Sequence, residues 1–288
     1  MKLKCRNLIR KTEGQIVLIL VLITIVGLTV GLSLISRTVT DVRISSQIEQ
    51  SNRAFSAAEA GVEIALKSAV VNGPTVTFNL SQVAVTYKVS TVGDSNVYTF
   101  PNAQTGKTQV LWLADHDSDG NIVESSTYPV GSPLDVCWGS TVNNNAAVVM
   151  SLLYKTIDNN YKIAKSAYDP DPAAPGHDIY NFLTLLPEDM IGGYCNGNYR
   201  FKKTINDVLQ FWEGLTLTPD TKLISLWLQP VDQDTSFAIN TRTGTNLYKQ
   251  GIQINSQGLT STGILRRIKV IKSFQLIPQV FNYTLFSE

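Results

Sequence analysis

Two patterns of apolar and polar positions divide the chain. Residues 16–35 read IVLILVLITIVGLTVGLSLI, 20 positions without a charge. As a helix, that length crosses a bilayer core of about 30 Å. Beyond it the apolar positions become periodic. Ile44, Ile48, Ser51, Phe55, Ala58, Val62, Ala65 and Ala69 alternate spacings of four and three, which draws one stripe along a helix. The other faces are largely polar, with Arg37–Asp41, Glu49–Arg53 and Glu63–Lys67 at i,i+4 spacing. Asn72-Gly73-Pro74 is a stop signal. The pattern predicts one helix over 15–71, on the order of 85 Å long at 1.5 Å per residue. Residues 15–36 suit lipid and residues 37–72 suit a protein partner, with Phe55 and Val62 expected to lie buried against the sheet that follows.

From Pro74 the period shortens to that of strands. Runs at 75–80, 83–90, 97–100, 109–114 and 134–138 collect β-branched and aromatic residues. Residues 146–157 and 161–168 flank Asp158-Asn159-Asn160 as a hairpin, and 223–228, 252–255, 264–274 and 281–286 read as later strands. Thr204, Ile205, Val208, Leu209 and Trp212 read as a short helix with Asp207 as a capping residue. The Pro-rich stretch 169–177, DPDPAAPGH, is the candidate internal boundary. The fold class expected is therefore α+β: a long N-terminal helix, then a mainly β domain over 74–288.

Charge changes the picture at the N-terminus. Lys2, Lys4, Arg6, Arg10 and Lys11 stand against Glu13 alone in the first 14 residues, and the remainder carries 19 basic and 22 acidic groups. A basic leader, 1–14, ahead of an apolar run is a targeting arrangement, and its charge keeps that end in the cytoplasm with the C-terminal bulk outside. A cleaved secretory signal fits less well, because the run is long and no small-residue cleavage pattern ends it. Charged residues are 16% of the chain against roughly 25% in soluble domains, and the net charge of +1 gives no sign of a nucleic-acid partner.

The leader ends in Gly14, and the amphipathic half contains Ala54, Phe55, Ser56, Ala57, Ala58, Glu59, Ala60 and Gly61. Over about residues 10–70 the chain resembles type IV prepilins. The stretch 54–61 is similar to the AFxAAEAG signature of PilX-type minor pilins. That resemblance implies cutting by a prepilin peptidase after Gly14, leaving Gln15 as the first residue. It further implies partnership with the membrane, other pilin subunits and the pilus assembly machinery. Two positions depart from the family: Gln15 stands where pilins usually have Phe, and Ile19 where they usually have Glu. The family's Glu is thought to pair with a neighbouring subunit's N-terminus, so its lack weights a tip or initiating role. The function expected is a non-catalytic minor pilin or tip component in assembly, adhesion or DNA uptake. The alternatives are a signal-anchored surface protein that does not polymerise, a type II secretion pseudopilin and an exported hydrolase on a stalk.

Candidate chemistry is sparse. Asp115, Asp117, Asp119 and Asn121 precede or flank Gly120 in DHDSDGNI, as a calcium loop begins, but Ser126 stands where the bidentate Glu would be. The competing reading is a plain Asp-Gly hairpin turn. Cys137 and Cys195 are the two cysteines outside the leader, which holds Cys5, and they read either as a disulfide or as two buried thiols. His116 and His177 have no recognisable spacing to a nucleophile or metal partner. Gly27 and Gly31 form a GxxxG that reads as close helix approach, as a point of weakness, or as ordinary membrane-helix composition. Arg266, Arg267 and Lys269 read as a solvated strand edge.

Overall fold

A computed structural model describes residues 13–68, 71–139, 144–174, 176–177, 181–205, 210–212, 215–242 and 244–275. One helix, α1 (Glu13–Lys67), runs unbroken for 55 residues. Thr24, Thr29, Thr38 and Thr40 turn their hydroxyls onto carbonyls three or four residues back, at 2.8–3.1 Å, which satisfies them without water. The strands follow as β1 (Val76–Leu80), β2 (Val83–Gly93), β3 (Val97–Thr99), β4 (Gln109–Trp112), β5 (Ala114–His116), β6 (Ile122–Thr127), β7 (Leu134–Trp138), β8 (Val148–Lys155) and β9 (Tyr161–Asp169). Then come β10 (Leu183–Thr184), β11 (Phe201–Ile205), β12 (Gln210–Trp212), β13 (Leu215–Thr216), β14 (Lys222–Pro230), β15 (Phe237–Thr241), β16 (Lys249–Thr260) and β17 (Leu265–Ser273). A long apolar helix followed by a mainly β region is the α+β class expected.

The chain divides into two compact units. The first holds Met1–Gly61, Thr77–Thr86 and Ser256–Ile268, and the second holds Val62–Val76, Tyr87–Asn255 and Lys269–Glu288. The Pro-rich stretch 169–177 falls inside the second.

In the first unit α1 lies on strand segments of β1, β2 and β16, which belong to a sheet of order β1-β2-β16-β17. The contact is made by small residues. Ala57 packs with Val83, Val85 and Phe78, while Ala54, Ala58 and Gly61 are also buried. Gly258 of β16 sits so close that a Cβ there would lie 2.2 Å from the Ala54 carbonyl oxygen, and a Cβ on Gly61 would lie 2.2 Å from Ser256 Oγ. Phe55 is not part of this contact: its side chain is 46% exposed, against the expectation that it is buried. The reason is geometric, since two backbones this close leave no room for a ring. Val62 is buried.

The second unit is a sandwich. A five-stranded sheet of order β10-β9-β8-β14-β4 and a four-stranded sheet of order β11-β7-β15-β3 share one apolar cluster. Leu134, Val136 and Trp138 of β7 and Phe237 and Ile239 of β15 meet Met150 and Leu152 of β8 and Leu226 and Leu228 of β14 there. This is the period-two inward face of each strand. A bulge between Leu223 and Ser225 shifts β14, so Leu223 and Leu226 both point inward while Ile224 joins Trp112 and Leu153 on the opposite face. β4 is an edge strand, and Gln250 answers that edge with its side chain. Its Oε1 accepts the Trp112 N–H at 2.8 Å and its Nε2 donates to the Trp112 carbonyl at 2.9 Å.

The hairpin expected around 158–160 is present, with β8 pairing β9 from Lys155↔Tyr161 to Val148↔Tyr168. The described ends of the short helix expected from Thr204 are strand instead. Phe201–Ile205 is β11, paired antiparallel with β7, and Trp212 lies in β12. Thr204 and Ile205 end a ladder of five pairs with β7, which decides those two positions, and Val208 and Leu209 lie outside the described residues. Asp207 and the run 281–286 lie outside the described residues.

Candidate functional site

The candidate site is α1 itself. Along 16–35 the large apolar side chains are at least 48% exposed in the single chain, so none of the described residues covers them. The helix is long and apolar enough to cross a membrane. Gly14 and Gln15 lie in its first turn. Ile19 is one of the exposed apolar positions, and a Cβ on Gly27 or Gly31 would meet no atom within 4 Å. The GxxxG thus meets none of the described residues.

Past residue 36 the helix has two distinct surfaces. The inward one is the small-residue stripe Ala54, Ala57, Ala58 and Gly61, held against the sheet, with Ala60 half-buried beside it. Arg266 Nε donates to Ser51 Oγ at 2.8 Å, fixing β17 against the same helix. The outward one carries Ile44, Ile48 and Phe55 at spacings of four and seven, so on one face, and all three are exposed. Glu59 also faces outward. Between α1 and the β16–β17 turn runs a groove of about 430 Å³, walled by Val39, Val42, Arg43, Gln50, Thr262 and Ile264.

The other sites named from the sequence lie in the second unit. Asp115, Asp117, Asp119 and Asn121 sit on the β5–β6 hairpin, with His116 opposite Ile122. Their carboxylates do not gather around a common point. Asp117 Oδ1 instead accepts the N–H groups of Asp119 and Asn121 at 2.9 and 2.8 Å, and its Oδ2 accepts Asn121 Nδ2 at 3.1 Å. Those bonds, Asn121 first, hold the Asp117 carboxyl below its ordinary value. Gly120 supplies a φ of +88°, and the Asp117 N–H closes the loop on Asn121 O at 3.0 Å. Among the described residues no group of three His, Cys, Asp or Glu is placed to hold a metal ion. The loop is a turn secured by its own amides, and the calcium reading has no convergent ligand set.

Cys137 and Cys195 are bonded, with Cα atoms 6.3 Å apart. The bridge packs on Tyr199 and Ala238 and ties β7 to the turn Tyr194–Gly197, where Cys195 and Asn196 take left-handed φ values of +44° and +68°. His116 is stacked on Phe274 at 3.9 Å between centroids and lies edge-on to Trp112. Its burial lowers its pKa, against the opposing charges of Asp115 and Asp117. His177 is buried between Asp169 and Asp232, an arrangement the sequence did not announce because Asp232 is 55 residues away. No protein family, curated protein or solved structure matches this chain.

Proposed function

We propose that the chain is a pilin-like subunit, anchored by α1 in a membrane with its β region outside the cytoplasm, that acts without catalysis at the tip or start of a type IV filament. One observation carries the reading. A single unbroken helix combines an apolar stretch that none of the described residues covers with a second half whose small-residue signature lies backbone-close on a sheet. The signature's small side chains have a physical reason to be small, and its Phe and Glu are turned outward, where a neighbouring subunit would meet them. The apolar Ile19 supports a terminal position, because such a subunit offers no carboxylate to the N-terminus of another.

The experiment is mass spectrometry of the mature N-terminus from membranes. The proposal expects the chain to begin at Gln15, and expects Gly14→Trp to accumulate uncut in the membrane. A natural mature chain beginning at Met1 supports the signal-anchored alternative instead. One beginning beyond residue 35 removes the membrane helix and with it the proposal.

A further inference from the structure

His177 stands between two carboxylates, out of water. Its Nδ1 is 2.9 Å from Asp169 Oδ2 and its Nε2 is 2.7 Å from Asp232 Oδ2, with the three side chains at most 10% exposed. A neutral imidazole has one N–H, so it can serve one of these carboxylates and must turn a lone pair towards the other. Only the imidazolium carries an N–H on both ring nitrogens, and Asp232 Oδ2, buried and without a hydrogen-bond partner among the described residues, has that positive edge 2.7 Å away.

The three groups come from separate places. Asp169 ends β9, His177 closes the turn that follows it, and Asp232 lies just beyond β14. Each carboxylate is also fixed by a backbone donor: the Asp171 N–H reaches Asp169 Oδ1, and the Ala147 N–H reaches Asp232 Oδ1, both at 2.8 Å. Neighbouring charges are engaged elsewhere. Asp171 Oδ2 accepts from Asn145, whose own Oδ1 accepts from Arg200, and Asp234 Oδ1 accepts from Thr105. Among the described residues, Asp169 and Asp232 are the carboxylates within 3 Å of the ring nitrogens.

We propose that Asp169, His177 and Asp232 form a proton-operated latch, which ties His177 and the turn at 171–174 to β9 and to the β14–β15 connection while the imidazole is charged, and frees them when the proton leaves. Deprotonation sets a ring lone pair against a carboxylate at hydrogen-bond distance in a buried site, an arrangement whose relief is separation. The direction in pH follows from the same contacts. Burial lowers the ring's pKa, but the hydrogen bonds and charges of Asp169 and Asp232 outweigh it and hold it above the ordinary 6.5. A folded-state pKa raised in this way gives stability that is complete below the unfolded value and lost as pH rises through the folded one. The latch is closed in mild acid and opens on the alkaline side of 6.5. The latch holds whether or not the chain is a pilin.

Three amides report the turn. Those of Asp171, Ala174 and His177 donate to Asp169 Oδ1, Asp171 O and Ala174 O at 2.8, 3.0 and 3.0 Å. The test measures their hydrogen exchange in the full chain in detergent micelles, from about pH 5.5 to about pH 9, as protection relative to the unfolded rate. In parallel, the ring proton resonances of the chain's two histidines are titrated. Protection is expected to fall by about tenfold or more across the range, in step with a His177 midpoint above 6.5, while the β8 amides hold. His177→Gln should give low protection at every pH with no step. Asp232→Asn should keep the step but move it to lower pH. Protection independent of pH in the natural chain, a His177 midpoint at or below 6.5, or a step that survives His177→Gln overturns the proposal. The natural chain's own titration decides even if a variant fails to fold.

Discussion

Gly258→Ala tests the helix-on-sheet contact most directly. The added Cβ would lie 2.2 Å from Ala54 O, 3.1 Å from Ala54 C and 3.2 Å from Ala58 N. All three are helix backbone, so none can rotate aside. Restoring ordinary van der Waals separation requires α1 to lift by roughly 1 Å, and a gap of that size forfeits a quarter to a half of the dispersion at each remaining contact. Overpacking of this kind costs about 1–3 kcal/mol, and a backbone obstacle puts this site in the upper part of that range. Local opening should then become up to about 150-fold more frequent. Gly61→Ala should cost less, because its nearest obstacles are the Ser256 hydroxyl at 2.2 Å and a Val85 methyl at 2.8 Å. Ser256 Oγ is buried without a hydrogen-bond partner among the described residues, so Ser256→Ala should be harmless alone and should partly rescue Gly61→Ala. The assay is hydrogen exchange over residues 50–61, 77–86 and 256–268 of the detergent-solubilised chain. Gly31→Ala, which meets nothing within 4 Å, is the control. Unchanged exchange in Gly258→Ala, or an equal change in Gly31→Ala, refutes the close packing.

Phe55→Ala should alter the stability of the single chain by no more than about 0.5 kcal/mol, since the ring is exposed; a loss of several kcal/mol in the same exchange assay would show the ring buried. Replacing Cys137 and Cys195 together by Ala opens a bridge between residues 58 apart and should cost about 4 kcal/mol in thermal unfolding. Asp117→Ala should lower the melting temperature where Asp119→Ala does not, with identical curves in calcium and in chelator; a calcium-dependent rise would restore the ion-binding reading. The Asp117 carboxyl is held below its ordinary 3.8, so its contribution is present above that value and should vanish as pH falls through the lowered one.

How far the fold was legible depended on the range of the forces that set each element. α1 could be read because 20 uncharged residues, then a sustained helical period, leave few other ways to satisfy the backbone. The β8–β9 hairpin and β7 could be read because their period and turn residues are local. The bridge between Cys137 and Cys195 was one of two open readings, with two free thiols the other, and the sequence did not decide between them. What failed was set at a distance. Thr204 and Ile205 join a strand because β7 is there to pair with them, and nothing near them in sequence says so. His177 meets Asp232 only after β14 has crossed the sandwich.

Phe55 is the instructive case, because the period that placed it was real. Ile44, Ile48 and Phe55 do share one face of α1, but one residue is about 100° of rotation, and the face used within the chain is that of Ala54. Hydrophobicity cannot rank these faces, since Ala adds little apolar area. Proximity can: Gly258 lets β16 approach the Ala54 carbonyl, and at that distance an alanine fills the space that a phenylalanine would overfill. At this contact the helix therefore keeps its small side chains for its own sheet and turns Phe55 outward. On the proposed function, the outward Ile44, Ile48 and Phe55 are what a second subunit would cover, while Ala58, Val62 and Ala65 of the same period are buried within the chain.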